Sequence, residues 1–302
     1  MGRLDLYDMV TVERTGDRSP GQWAFRGRPV LGPYGRVFGG QLLGQAVAAA
    51  TASVEEADPE RRVHSMHASF LSIGDSTRTI DYEVAHVRDG RSFSVRSVQA
   101  RQDGRLLLTA TASFQSPAEG LTHETPRADG YPDPESLDGN EGAFAATVPL
   151  DGRPAHRTAV DIRRVPAALD PRGAARSAGQ AVWLRAASPR GDVPESAARA
   201  VLVMATDFTV LESAVAAHGL TFTEPGLEVA SLDHAMWWHA SAALDEWVLY
   251  VQESPWAGGQ RALITGRVYA RDGRLLASMA QEGLIRLRAA HHERPRSAEV
   301  SA

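Results

Sequence analysis

The sequence predicts an α+β protein made of one unit repeated twice, each unit a long helix packed on a twisted antiparallel sheet. Three observations carry this prediction. The first is an internal repeat. Arg101-Gln-Asp-Gly-Arg-Leu-Leu-Leu-Thr-Ala recurs as Ala270-Arg-Asp-Gly-Arg-Leu-Leu-Ala-Ser-Met, so Asp103 aligns with Asp272 about 169 residues later. His64-Ser-Met-His finds an echo in His234-Ala-Met-Trp, and Gln45-Ala-Val-Ala-Ala-Ala one in Ser213-Ala-Val-Ala-Ala-His, in the same order and at a similar offset. The second observation is an Ala-rich stretch of helical spacing near the start of each copy. The third is the run of alternating strands behind it, closed by Asp-Gly turns.

In chain order, the first copy predicts a helix over Gly40–Thr51, where Leu42, Leu43, Ala46, Val47 and Ala50 recur on one helical face. Strands follow at 67–71, 80–85, Phe93–Arg101 and Leu106–Gln115, each rich in β-branched or aromatic residues with period-two alternation. The last two are joined through Asp103-Gly104, a type I′ hairpin signal. Ser116 to about Pro154 is rich in Pro and Gly, as in Tyr131-Pro-Asp-Pro and Asp151-Gly-Arg-Pro, and reads as a linker or surface excursion. Val160-Asp-Ile-Arg-Arg-Val and Ala181-Val-Trp-Leu-Arg-Ala then open the second copy. Its helix is expected over Phe208–His218, with Asp207 at the helix start, and its closing hairpin over Arg261–Arg271 and Leu275–Arg286, turning at Asp272-Gly273. The expected division is an N-terminal unit over 1–118, a connecting excursion over 119–155, a C-terminal unit over 156–289 and a frayed polar tail over 290–302.

Composition narrows the chemistry. The 302 residues allow one large domain or two ordinary ones at roughly 100–200 residues each. With 43% hydrophobic and 23% charged residues, the chain can build a soluble core. No apolar run reaches the ~20 residues needed to span a bilayer, and the N-terminus lacks the apolar segment of a signal peptide; a soluble, cytoplasmic protein without a membrane partner is expected. Cysteine is absent, which excludes disulfides, thiolate metal sites and thiol nucleophiles. Lysine is absent too, all 32 basic residues being arginine, which excludes a Schiff-base lysine and the lysine of phosphate-binding loops. A net charge of −5 argues against general nucleic-acid binding.

Several blocks resemble the acyl-CoA thioesterase II family, which has a double hot-dog fold. They are Arg36-Val-Phe-Gly-Gly-Gln-Leu-Leu-Gly-Gln-Ala, His64-Ser-Met-His-Ala-Ser-Phe-Leu-Ser-Ile-Gly-Asp, Arg88-Asp-Gly-Arg-Ser-Phe-Ser-Val-Arg, Ala112-Ser-Phe-Gln-Ser-Pro, Ser231-Leu-Asp-His-Ala-Met-Trp-Trp-His and Ala280-Gln-Glu-Gly-Leu-Ile-Arg. The resemblance covers about residues 25–118 and 180–288 and implies hydrolysis of a fatty acyl-CoA to the free acid and coenzyme A, with no cofactor. In that family a water is held by an aspartate, a Thr or Ser hydroxyl and a glutamine. The local matches are Asp207 in Ala205-Thr-Asp-Phe-Thr-Val-Leu, Ser231 and Gln281. It further implies a homodimer or homotetramer.

The residues also have plainer readings. An Asp before a helix is a preferred N-cap, yet the repeat sets Gly39 against Asp207, which fits one catalytic half and one structural half. Gln281 is set against Ala112 and offers both donor and acceptor, suited to orienting a water but not to taking its proton. No Gly-x-Ser-x-Gly elbow surrounds Ser231, so direct water attack is favoured over an acyl-enzyme. Gly39-Gly40-Gln41, at a helix start, are candidate oxyanion donors or a tight turn. His64, His67, His234, His239, His291 and His292 read as structural rather than metal ligands, Asp233 as a backbone or histidine partner, and Trp237, Trp238 and Trp256 as core or acyl-tunnel residues. Arg88, Arg91 and Arg96 read as surface charge. Two alternatives compete: a non-catalytic acyl-CoA-binding or sensing protein, and an enoyl-CoA hydratase. The latter needs an Asp and a His five positions apart, where this chain has Asp207 and Glu212.

Overall fold

The computed structural model describes residues 5–30, 35–139, 159–172, 178–241 and 243–288. The first half builds α1 (Leu6–Met9), β1 (Val12–Ser19), β2 (Gln22–Gly27), α2 (Gly39–Glu55), β3 (Arg62–Phe70), β4 (Ile80–Asp89), β5 (Phe93–Gln102) and β6 (Arg105–Gln115). The second half builds β7 (Val160–Arg164), β8 (Gly179–Ala186), α3 (Glu195–Thr206), α4 (Glu212–Ala216), β9 (Leu227–Ser231), β10 (Asp233–Trp238), β11 (Val248–Gly258), β12 (Arg261–Ala270) and β13 (Leu275–Leu287). All thirteen strands form one antiparallel sheet, in the order β1-β2-β4-β5-β6-β3-β10-β13-β12-β11-β8-β7, with β9 alongside β13. The order reads the same from both ends. The halves meet at β3 and β10, where His67 lies opposite Ala235.

This register defines equivalent positions. Met66 and Ala68 pair with Met236 and His234, so His234 takes the place of Met66. Gln281 opposes Ile264 as Ala112 opposes Arg96, and Ser231 opposes Gly283 as Val63 opposes Phe114. The sequence echo between His64 and His234 is therefore shifted by two residues from the structural equivalence. The bulge at His64 in β3 matches the break at Leu232 between β9 and β10.

Helix α2 forms as expected and extends by one turn. Leu42, Leu43, Ala46, Val47, Ala50 and Val54 bury its apolar face against β3, β4 and β5. Its other face meets α3 closely because it carries glycines one turn apart. A Cβ at Gly40 would fall 2.5 Å from the Met204 carbonyl oxygen, and one at Gly44 would fall 2.9 Å from that of Ala200. Two main chains thus approach where a side chain would hold them apart, which brings the end of α3 to the start of α2.

The second helix departs from expectation. Asp207 does not open a helix; it is the C-cap of α3, with φ −85° and ψ −10°, and only the short α4 occupies part of the stretch expected over Phe208–His218. Thr206-Asp207-Phe208-Thr209 is a run of modest helix formers, the Thr206 hydroxyl bonds back to the Val203 carbonyl, and the Thr209 hydroxyl accepts from Gln252. The two Asp-Gly hairpins also differ. Asp103 and Gly104 both have positive φ (48° and 79°), as a type I′ turn requires. In the second, only Gly273 does, third in a wider four-residue connection.

The segment 116–139 is the described part of the expected linker or surface excursion. It crosses the helix-free face of the second half, where Leu137 and Tyr131 cover Trp183, Leu249 and Tyr269 in a satellite core. The Trp183 indole N–H donates to the Pro132 carbonyl at 3.0 Å, and Arg271 holds Asp133 and Glu135. The expected linker residues beyond 139 and the tail over 290–302 lie outside the described residues.

Candidate active site

Three elements of the second half and one of the first converge on Asp207. The carboxylate stands at the end of α3. Gln281, on the inner face of β13 and 1% exposed, donates from Nε2 to Asp207 Oδ1 at 3.1 Å and to Ser231 Oγ at 2.8 Å. The Ser231 hydroxyl, at the end of β9, lies 3.5 Å from Asp207 Oδ1. From α2 the Gly40 backbone N–H reaches the same carboxylate. The structure thus brings together all three residues singled out in the sequence.

The capping reading of Asp207 survives in altered form. It does not cap its own helix. The N-cap of α2 is Phe38, which has no side-chain cap bond, and Asp207 reaches across from the other half to the free N–H groups there. Gly39 is what permits this: a Cβ there would lie 2.8 Å from Asp207 Oδ2 and 3.2 Å from the Phe70 ring. Of the three candidate oxyanion donors, Gly40 N–H faces Asp207 and Gln41 N–H bonds the Phe38 carbonyl. Gly39 N–H has no partner among the described residues.

Burial strips hydration from the Asp207 carboxylate and pushes its pKa up to about 6, against the opposing pull of Gln281, Gly40 N–H and Ser231. His234 lies beneath Gln281 on β10. Its pKa is pushed down to about 4 by burial, so the ring is neutral in the physiological range. Around the carboxylate the walls are aromatic: Phe38 and Phe208 stack with centroids 4.7 Å apart, and the Phe70 ring adjoins Gly39. Sequence reasoning missed these phenylalanines. Their signal was position, each lying within or beside a quoted block.

Other singled-out residues fall elsewhere. Asp233 accepts the Glu282 backbone N–H at 2.7 Å on the opposite sheet face. Trp237 and Trp256 are 37% and 47% exposed, while Trp238 is buried in the core. His64 bonds Ser113, His67 stacks edge-on with Trp237, and His239 bonds Ser278; His291 and His292 lie outside the described residues. Among the described residues no three His, Asp or Glu side chains cluster to hold a metal. Arg96 is not surface charge: it is 1% exposed, grips Asp89 at 2.8 Å and lies over the Trp23 ring. Glu212, the residue a hydratase would need as histidine, is clamped by Arg164 at 2.9 and 2.5 Å.

A doubled helix-on-sheet unit with a polar cluster at the meeting of the two halves defines a hot-dog protein. A hot-dog-fold protein of unknown function from Alicyclobacillus acidocaldarius superposes with a TM-score of 0.70 over 94% of this chain and 98% of its own, at 17% identity, which speaks for the fold alone. The more particular assignment comes from sequence. Residues 28–115 match the family model for the acyl-CoA thioesterase N-terminal domain, and residues 156–284 that for acyl-CoA thioesterase. Mouse acyl-coenzyme A thioesterase 8 is 35% identical over 276 residues, covering 87% of this chain and 85% of the relative. The acyl-CoA thioesterase II TesB2 of Mycobacterium marinum is 33% identical, with a TM-score of 0.77 over 94% of this chain and 99% of its own. The chain belongs to the acyl-CoA thioesterase II family and is an acyl-CoA thioesterase.

Proposed function

We propose that the protein hydrolyses fatty acyl-CoA by direct attack of a water held by Asp207, Ser231 and Gln281. The observation that carries this reading is the convergence of the Gln281 amide and the Ser231 hydroxyl on one half-buried carboxylate. With a pKa of about 6, Asp207 is ionised at neutral pH yet basic enough to take a proton. Asp207 accepts the proton as the water oxygen bonds to the thioester carbonyl carbon. Gly39 N–H, at the positive end of α2, offers a donor for the oxyanion that forms. The tetrahedral intermediate collapses with cleavage of the C–S bond, and the thiolate leaving group takes up the proton as free coenzyme A. Phe38, Phe70 and Phe208 provide apolar surface for the acyl chain. Ser231 positions water and does not form an acyl-enzyme. On the same reading, residues 1–118 and 156–289 form the two hot-dog units, and the protein works in the cytoplasm as a homodimer or homotetramer. No helix among the described residues is long and apolar enough to cross a membrane.

The test is a hydrolysis screen over short, medium and long acyl-CoAs, read with a thiol reagent. The chain has no cysteine, so the protein itself adds no background. Asp207→Asn is expected to lower kcat by roughly 10²–10⁴-fold, the range for loss of a positioned base, while acyl-CoA still binds. Wild-type protein inert toward every chain length, or a fully active Asp207→Asn, overturns the reading.

A further inference from the structure

We infer that His234 is a positioning residue whose ring fixes the direction of the Gln281 carboxamide, holding its oxygen away from Asp207 so that its amino group faces the carboxylate. The inference rests on the proposed water site. A glutamine carboxamide has two nearly isosteric ends, and only its partners decide which end points where. Gln281 Nε2 serves both Asp207 Oδ1 and Ser231 Oγ, so its oxygen must face the other way. There His234 Nδ1 lies 2.6 Å from Gln281 Oε1. An oxygen can only accept, so Nδ1 carries the proton.

The rest of the ring agrees. His234 is 0% exposed. Burial keeps it neutral, with a single N–H to place. Its Nε2 is 3.4 Å from Thr206 Oγ1, whose own hydrogen goes to the Val203 carbonyl at 2.8 Å. The ring thus has one donor and spends it on Gln281. Thr206 immediately precedes Asp207, so the ring lies between the end of α3 and the strand that carries the amide.

The first half supplies independent support. There the positions of Ser231, His234 and Gln281 are held by Val63, Met66 and Ala112. The same core position is filled by an apolar side chain, so the fold does not require a histidine there. The histidine occurs where the amide and the carboxylate occur. Without it, Gln281 is free to turn its oxygen toward Asp207, which withdraws a donor from the carboxylate and sets a dipole against its charge.

His234→Met copies the other half and keeps the site filled; His234→Asn keeps a side-chain N–H near the place of Nδ1. Steady-state kinetics on an acyl-CoA, pH profiles of kcat/KM and thermal midpoints are measured for both, with Asp207→Asn alongside. The groups facing Asp207 are Gly40 N–H from α2, Ser231 from β9 and Gln281 from β13; the titratable neighbours are His234 from β10 and Tyr250 from β11. The expected result for His234→Met is a kcat lowered roughly 10- to 100-fold, the scale of a misplaced reacting group. KM should stay within about twofold and the acid limb of kcat/KM should move to higher pH, because an Asp207 that loses a donor holds its proton longer. His234→Asn should regain most of kcat and return the limb. A folded His234→Met with near wild-type kcat and an unmoved acid limb overturns the inference. So does a folded His234→Asn as impaired as the loss of Gln281. Should His234→Met not fold, the Asn variant decides alone. If Asp207→Asn is inactive and His234→Met is not, the positioning role falls and the water site stands. If Asp207→Asn is active, the water site itself falls.

Discussion

The two halves share a strand plan and differ on both faces of the sheet. On the inner face, the second half groups Ser231, His234 and Gln281 around Asp207, where the first has Val63, Met66 and Ala112 at the same strand positions. On the outer face the contrast runs the other way. The first half places Arg26, Asp81 and Arg101 side by side, with Arg26 bonded to Asp81 at 2.8 Å in solvent; the matching row of the second half is Trp183, Leu249 and Tyr269. Those three side chains are covered by the segment around Leu137. A duplicated fold with one polar inner cluster leaves the matching strand positions of the other copy free to pack. The second outer face is apolar because it has a cover, and the first is charged because nothing in the described chain lies over it.

The largest expected effect sets the inner faces against each other. Gln281→Ala should lower kcat by about 10²-fold, comparable to removing one preorganised donor, and cost about 1–3 kcal/mol of stability because the buried His234 N–H loses its acceptor. Ala112→Gln, its mirror, should leave the rate alone and cost about 1–3 kcal/mol of stability, because it buries an amide without partners. A rate loss from Ala112→Gln in a folded protein breaks the comparison. Next is pH dependence. As the proposed base Asp207 would act in its ionised form, and its pKa is about 6, so kcat/KM should fall roughly tenfold per unit below that pH and level off above it. The same shift has a sign for stability. The folded pKa lies above the ordinary 3.8, so folding favours protonated Asp207, and the cost of its charge appears as pH rises through about 6. Thermal unfolding of Asp207→Asn should accordingly gain most on wild type above pH 6 and least near pH 4.

Gly44→Ala probes the contact that joins the halves. Its Cβ would fall 2.5 Å from Val10 Cγ1 and 2.9 Å from the Ala200 carbonyl oxygen, so an overpacking loss of about 1–3 kcal/mol is expected in chemical denaturation. Any accompanying loss of kcat would report Asp207 moving away from α2. The smallest effects compare the outer faces. Leu137→Ala should cost about 2 kcal/mol by opening the satellite core. Arg26→Ala should cost under about 1 kcal/mol, since its ion pair with Asp81 is solvent-exposed. Equal costs would mean that the cover on the second half contributes nothing.

Much of this was legible in the chain. Leu42, Leu43, Ala46, Val47 and Ala50 repeat at the helical period, and α2 lies where they put it. Phe93–Gln102 and Arg105–Gln115 alternate at period two around Asp103-Gly104, and the hairpin forms with its type I′ turn. Asp207, Ser231 and Gln281 were identifiable from short blocks, and the structure brings them together. The second helix was misread because the repeat transferred the register of α2 to residues 208–218, while the turn at Thr206–Thr209 depends on bonds to Gln252 and to α2 that no local pattern announces. Arg96 was read as surface charge because burial of an arginine depends on Asp89 and Trp23 arriving from other strands.

By itself, the sequence determined the periodicities, the duplication, the absence of thiol and amine nucleophiles, and the residue types available to hold a water. Tertiary structure alone decided that Asp207 caps the helix of the other half, that His234 stands behind Gln281, and that the segment after β6 folds back over Trp183. The division has a physical cause. Secondary structure and composition depend on neighbours a few residues apart. The pKa of Asp207 and the direction of an amide depend on groups distant in the chain: Gln281, 74 residues from Asp207, meets it at 3.1 Å, and Gly40 reaches it from the other half.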